Sequence, residues 1–135
     1  MISIPIRPES RDGSELLIQT IEPRVSSTRS PAEFALTKCP LPGEPVTATF
    51  ERLAAELAAE EAEVLSLFVF GSIAGKREIE RAMRDTLGET QWPVTWADGA
   101  PCHGGGNPLA GVQAFATSGR SITRVRLRGR VVGSV

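Results

Sequence analysis

The sequence predicts an α+β domain in which a mixed β-sheet carries two α-helices on one face. Two helical patterns stand together in the middle of the chain, with strand patterns before and after them. Helices collected in this way favour one layer of helices packed on one layer of sheet. The length of 135 residues, of which 41% are hydrophobic, suffices for one core without disulfide bonds.

The first part of the chain predicts a leader and two strands. Residues 1–14 are rich in Pro, Arg and Ser, and we expect them to lead into a single domain over 15–135. ELLIQTI at 15–21 and FALTKCP at 34–40 are rich in aliphatic and β-branched residues, and this composition predicts strands.

The two helices are predicted by apolar residues that recur every three or four positions. These residues are Val46, Phe50, Leu53 and Leu57 in the first helix, over about 45–61, and Ile79, Met83 and Leu87 in the second, over about 76–87. Pro45 suits the first turn of the first helix, and Gly88 suits the C-terminal cap of the second.

The remaining segments predict further strands. VLSLFVFGSI at 64–73 is a nearly continuous apolar run, which indicates a strand buried on both faces. Segments 93–98, 111–118 and 123–135 follow, the last either as one strand or as a hairpin that turns near Gly129. Because the chain stops inside an apolar strand pattern, we expect either the N-terminal part of a longer protein or a terminus buried by strand pairing.

Composition and charge exclude several classes of protein. The net charge of −1 and the pI near 5.9 give no general attraction to nucleic acid or to an anionic membrane surface. No apolar run has the length of a membrane span and no signal-peptide core begins the chain, so we expect a cytoplasmic protein. The two cysteines lack the spacing of metal ligands, and we expect neither a metal nor a cofactor.

The segment APCHGGGNPLAG at 100–111 holds the chain's only histidine beside a cysteine and three glycines. Cys102 and His103 could form a nucleophile and its base, but neighbours in a chain rarely face each other. The glycines could hold a phosphate, but a strand rather than a helix follows them. We interpret the segment as a connection between two strands, with Cys102 on the rim of a cleft.

Arginines alternate with apolar residues near the end of the chain. They are Arg124, Arg126, Arg128 and Arg130. An unbroken strand would place all four on one face, whereas a turn at Gly129 would split the set. Such a face could bind a carboxylate ligand or RNA, or it could be a solvated sheet surface. We expect Trp92 to pack in the core or at a subunit contact. Trp96 and Asp98 could line a binding cleft, or Asp98 could be an ordinary turn residue before Gly99.

The stretch from Val46 to Gly119 resembles the Rid family, also called YjgF or endoribonuclease L-PSP-like proteins. The segments that carry the resemblance are PVTATFERLAAELAAEEAEV, LSLFVFGS, KREIERAMRDTLGE and WPVTWADGAPC…LAGVQAFATSG. The resemblance implies a chorismate mutase-like (YjgF-like) fold and a homotrimer with ligand clefts between subunits. Its enamine/imine deaminase branch hydrolyses reactive imino acids and releases ammonia.

The family's catalytic residues do not carry over to this chain. The deaminases have an arginine two residues after a strand-opening proline, and that proline matches Pro93, so Thr95 stands at the arginine position. An acidic residue of the next strand falls at Gln113, and the family's tyrosine has no counterpart, since this chain contains none. Thr and Gln cannot replace a guanidinium and a carboxylate in binding charge or moving protons.

We therefore expect a Rid-like small-molecule-binding or scaffold domain without imine deaminase residues, such as one degenerate half of a tandem protein. The alternative is a hydrolase or related enzyme that acts on a small carboxylate, imino-acid-like or chorismate-like, in a cleft between subunits. Its arginines would clamp the carboxylate. The cleft candidates are Thr95, Gln113 and Cys102, and the expected ligand-binding residues are Thr95, Trp96, Gln113, Arg124 and Arg126.

Overall fold

The computed structural model describes residues 4–6, 16–21, 30–100 and 106–134. These residues form eight strands, two α-helices and a short 3-10 turn. In chain order the elements are β1 (Ile4–Ile6), β2 (Leu16–Ile21), β3 (Ala32–Lys38), α1 (Val46–Ala59), β4 (Glu63–Gly71), the 3-10 turn (Ile73–Gly75), α2 (Lys76–Leu87), β5 (Val94–Asp98), β6 (Leu109–Ser118), β7 (Ile122–Leu127) and β8 (Arg130–Ser134).

A mixed four-stranded sheet carries both helices. Its strand order is β3-β6-β4-β5, with β4 and β5 parallel and the other pairs antiparallel. Parallel neighbours need a crossover, and α2 supplies it between β4 and β5. We call this layer the helical sheet. It confirms the prediction of an α+β fold built on a mixed sheet with two helices.

The core lies between the helices and one face of the helical sheet. The apolar stripe predicted for α1 is buried, and Ile79 and Met83 of α2 are buried beside it. Alternate residues of the strands complete the core: Leu36, Leu67, Val69, Val112 and Ala114. Pro45 precedes α1 as its cap, and Gly88 ends α2 with φ of 76°.

A second sheet is formed by strands from the first and last parts of the described chain. Its order is β1-β2-β7-β8, and all its pairs are antiparallel. Arg128 and Gly129 turn the chain between β7 and β8, both with positive φ, as a two-residue hairpin turn requires. The predicted hairpin near Gly129 is therefore confirmed.

Three expectations differ from the structure. Strand β2 pairs with β7 in a second sheet, so the strands do not share one sheet. Residues 4–6, inside the expected leader, form strand β1, whose Pro5 lacks an N–H and is tolerated because β1 pairs on one side only. Strand β4 is buried on its helix face only, since Phe70 is exposed on the other. Neither described helix has the length and apolar character to cross a membrane.

Candidate functional site

Thr95 and Gln113 lie in one row across the helical sheet. Phe68 of β4 is the register partner of Thr95 in β5 and of Gln113 in β6, and Gln113 also pairs with Thr37 of β3. Neighbouring strands are about 4.8 Å apart, so about 10 Å separate Thr95 from Gln113 at the backbone. The predicted cleft residues thus share one face, with a phenylalanine between them.

This face is the one that the helices leave open, and we call it the open face. Thr37, Phe68, Phe70, Thr95 and Phe115 belong to it by the alternation of the strands. Phe68 and Phe115 meet edge to face, with 5.8 Å between their ring centroids. Phe70 and Phe115 keep 37% and 38% of their surface exposed. The open face is therefore aromatic and only partly covered.

A small groove of about 280 Å³ lies beside Gln113 on this side of the sheet. Its walls include Thr37, Cys39, Phe70 and Gln113. Cys39 is an exposed free thiol. It lies near Gln113, although the two are far apart in the sequence, because it follows β3 directly and β3 pairs with β6. Sequence analysis did not select Cys39 as a site residue.

The loop that holds Cys102, His103, Gly104 and Gly105 lies outside the described residues. The described chain resumes at Gly106, whose φ is 83°. Asn107 then fixes the start of β6: its side-chain amide donates to the Glu44 carbonyl at 3.2 Å and its Oδ1 accepts from the Leu109 N–H at 3.0 Å. The prediction that Cys102 lines a cleft stays a prediction.

Arg124 is a buried part of the second sheet, with 2% of its surface exposed. Its Nη1 donates to the Ser134 hydroxyl at 2.9 Å, while its Nε has no acceptor within the described residues. Burial lowers the pKa of Arg124, the nearby Glu63 carboxylate raises it, and the charge of Arg126 lowers it further. Arg124 is therefore held inside the protein.

The other arginines of the series separate at the turn. Arg126 donates to the Gln91 side-chain oxygen, and Arg128 and Arg130 are exposed on the turn and on β8. The turn at Gly129 thus splits the set, as one of the two sequence interpretations anticipated. Arg124 and Arg126 belong to the second sheet, whereas Thr95 and Gln113 belong to the open face of the helical sheet.

A larger groove of about 680 Å³ runs between α2, β5 and the β7–β8 hairpin. We call it the α2–β8 groove. The charged and aromatic residues that line it are Lys76, Glu80, Arg84, Trp92, Trp96 and Arg130. Val94 and Trp96 point to this side of β5, so the groove lies on the opposite side of the sheet from Thr95.

The tryptophans of the α2–β8 groove have distinct surroundings. The Lys76 ammonium lies 5.1 Å from the centroid of the Trp96 ring, a cation–π contact. Trp92 packs against the core, and its Nε1–H is buried with no acceptor within the described residues. Sequence analysis selected Trp96 as a ligand-binding residue and Arg130 as one of the alternating arginines, but it did not place the two in one groove, because α2, β5 and β8 are far apart in the chain.

The described residues form an α+β domain that has, on one side of a mixed sheet, an open face whose central row is uncharged, and a cationic groove on the other side. The described residues contain no group of three His, Cys, Asp or Glu that could hold a metal ion. A scan against protein-family models, a search of curated proteins and a search of solved structures each found no match for this chain.

Proposed function

We propose that this chain is a small-molecule-binding or scaffold domain of the Rid-like kind, without imine deaminase chemistry, that works as a homotrimer. The observation that carries the proposal is the row Thr37–Gln113–Phe68–Thr95 on the open face. None of these four side chains ionises near neutral pH. The row therefore offers neither a cation for a substrate carboxylate nor an acid or base for water.

Imine hydrolysis places demands that this row does not meet. The substrate's carboxylate is best held by a guanidinium, which donates two parallel hydrogen bonds. The attacking water must lose a proton to a nearby base. Arg124 and Arg126, which the hydrolase alternative needs as a clamp, already donate to Ser134 and Gln91. These contacts favour a domain that binds or assembles over one that hydrolyses.

Assembly is supported by the aromatic character of the open face. Phe70 and Phe115 are large apolar side chains that remain more than one-third exposed. Phe70 lies two residues after Phe68 on β4, and Phe115 of β6 contacts the Phe68 ring edge to face. Exposed apolar clusters of this kind are typical of contact surfaces between subunits. A second and third copy of the chain would cover the face in a trimer.

The chemical part of the proposal is tested by ammonia release from 2-iminobutyrate. We expect the purified chain to release no more ammonia than buffer does. The double variant Thr95→Arg with Gln113→Glu, which restores a cation and a carboxylate to the row, is the matched comparison. Ammonia release by the unaltered chain that Thr95→Val abolishes would overturn the proposal.

The assembly part is tested by the mass of the chain in solution, measured by light scattering. We expect about three times the chain mass of 14.4 kDa. A monomer at concentrations well above those of the assay would contradict the trimer and leave the uncharged row to be judged by the ammonia assay alone.

A further inference from the structure

We propose that the α2–β8 groove is a binding site for a small aromatic carboxylate, a planar ring that bears one negative charge. The groove lies on the side of the helical sheet opposite Thr95 and Gln113. The inference therefore goes beyond the proposed function, which concerns the open face, and either can fail without the other.

Charge is the first argument. Three cations and one carboxylate border the groove: Lys76, Arg84, Arg130 and Glu80. The Glu80 carboxylate already has a partner, because its Oε1 lies 3.9 Å from Lys76 Nζ, and the two residues are one helical turn apart. Within the described part of the chain, Arg84 and Arg130 have no carboxylate partner. The groove thus has an excess of positive charge that an anion would neutralise.

The placement of the two arginines favours a carboxylate. Arg84 is in the last turn of α2, and Arg130 is the first residue of β8, directly after the hairpin turn. Both side chains line the same groove. A guanidinium is a planar fork of N–H donors that matches the two oxygens of a carboxylate. Both side chains are exposed, so a ligand can reach them from solvent.

The indoles supply the second half of the recognition. Trp92 and Trp96 both line the groove, and an indole prefers another planar ring, stacked or edge to face. The buried Trp92 Nε1–H has no acceptor among the described residues, and a ligand oxygen beside it would give this donor a partner. An anion without a ring would leave the indoles unused.

The groove has the size of a small-molecule site. Its volume of about 680 Å³ falls within the range of roughly 300–1,000 Å³ that is usual for ligand pockets. Its walls come from a helix, a strand and a hairpin, and each of them is anchored: α2 and β5 by the core, and β8 by its pairing with β7. The backbone that carries these side chains is therefore in place before a ligand arrives.

Intrinsic fluorescence tests this site directly. The chain has two tryptophans and no tyrosine, so its ultraviolet emission comes from the two indoles of the groove. We would titrate the full chain with benzoate, with acetate, which has the charge without the ring, and with benzamide, which has the ring without the charge. We expect a saturable change with benzoate at concentrations where acetate and benzamide cause none.

Substitutions then assign the signal to the groove. Arg84→Gln and Arg130→Gln should each weaken benzoate binding about tenfold, the loss expected for one charge-assisted hydrogen bond. Arg81→Gln is the matched control, because Arg81 is exposed on the same helix and does not line the groove. All three positions are exposed, so the variants should fold, which circular dichroism would verify.

Two results would overturn the site. The first is an equal response to benzoate and to benzamide, which would mean that the cations play no part. The second is benzoate binding that Arg84→Gln and Arg130→Gln leave unchanged. Ammonia release and the mass in solution do not enter this test, so its outcome is independent of the proposed function.

Discussion

Arg124 shows how a residue that looks like a ligand-binding group becomes a structural one. Its position in an alternating series suggests a solvent-facing cation, yet it is buried and hydrogen-bonded to Ser134. Taking a guanidinium out of water is costly, and the Ser134 hydroxyl and the Glu63 charge offset only part of that cost. An apolar side chain of similar length would avoid the cost and still fill the space.

Replacing Arg124 should therefore depend on the shape of the new side chain. We expect Arg124→Ala to lower the free energy of unfolding by about 3 kcal/mol, because it opens a cavity and leaves Glu63 and Ser134 without this partner. Arg124→Met, which keeps the packing, should cost less than half as much. Urea unfolding measures both.

The control for this pair is Arg120→Ala. The Arg120 guanidinium is exposed and lies 3.6 Å from the Glu33 carboxylate, also exposed. Surface ion pairs of this kind contribute about 0–1 kcal/mol. Equal losses for the alanine and methionine variants at position 124 would show that the charge, and not the packing, stabilises the second sheet.

Among the elements, the junction between β4 and α2 is closely packed. Ser72 donates its N–H to the Pro108 carbonyl at 2.9 Å, and its hydroxyl accepts from the Gly75 N–H at 3.2 Å. A Cβ added at Gly75 would lie 2.1 Å from Cβ of Pro108. A proline ring is rigid, so the 3-10 turn and the start of β6 approach as closely as they do only because residue 75 has no side chain.

We expect Gly75→Ala to lower the free energy of unfolding by about 1–3 kcal/mol, the usual cost of forcing extra volume into a packed site. Gly99→Ala is the control, since the nearest atoms to its added Cβ are 3.8 Å away, an ordinary contact. Thermal unfolding of the two variants under one set of conditions compares them. A Gly75→Ala variant as stable as Gly99→Ala would show that the junction has room to relax.

The elements themselves could be predicted from the sequence, but their pairing could not. Periodicity of 3.6 or 2 residues is a local signal, and it located α1, α2 and seven of the eight described strands to within a few residues. Whether segment 15–21 pairs with 34–40 or with 122–127 depends on contacts between distant parts of the chain. Segment 4–6 is too short, and too close to Pro and charged residues, to carry a clear strand pattern.

The same limit applies to the candidate sites. Thr95 and Gln113 could be selected by resemblance, and their common row follows from the pairing of β5 and β6 with the same central strand, β4. The α2–β8 groove could not be anticipated, because Arg84 and Arg130 come together only through the packing of the hairpin beside α2. Arg130 belongs to the alternating series near the end of the sequence, but nothing in the local sequence links it to Arg84.

For the whole molecule, the proposed trimer depends on the open face as its contact surface. Phe115 is at the centre of this face, on the central part of β6, and a charge there would be buried by any copy that covers the face. Burying an unpaired carboxylate costs far more than a subunit contact gains at one position. The face is thus the part of the molecule where one substitution should change the assembly without changing the fold.

We expect Phe115→Glu to convert the assembly to monomers, measured by light scattering, with a circular dichroism spectrum like that of the unaltered chain. Ile73→Glu is the matched control: Ile73 is an apolar residue that is 74% exposed, and it lies on the 3-10 turn and not on the open face. Loss of assembly in both variants, or in neither, would contradict the assignment of the contact to this face.

The strand order of the second sheet has a consequence for the chain during its synthesis. Strand β2 pairs with β7 along its whole length, from Leu16 with Leu127 to Ile21 with Ile122. During translation β2 leaves the ribosome early and has only β1 beside it, and a lone two-stranded ribbon is marginal in water. Its other partner, β7, is synthesised only about 100 residues later, since Thr20 and Thr123 are 103 positions apart. Until then a nascent chain has an open strand edge, and such edges pair readily with neighbouring chains.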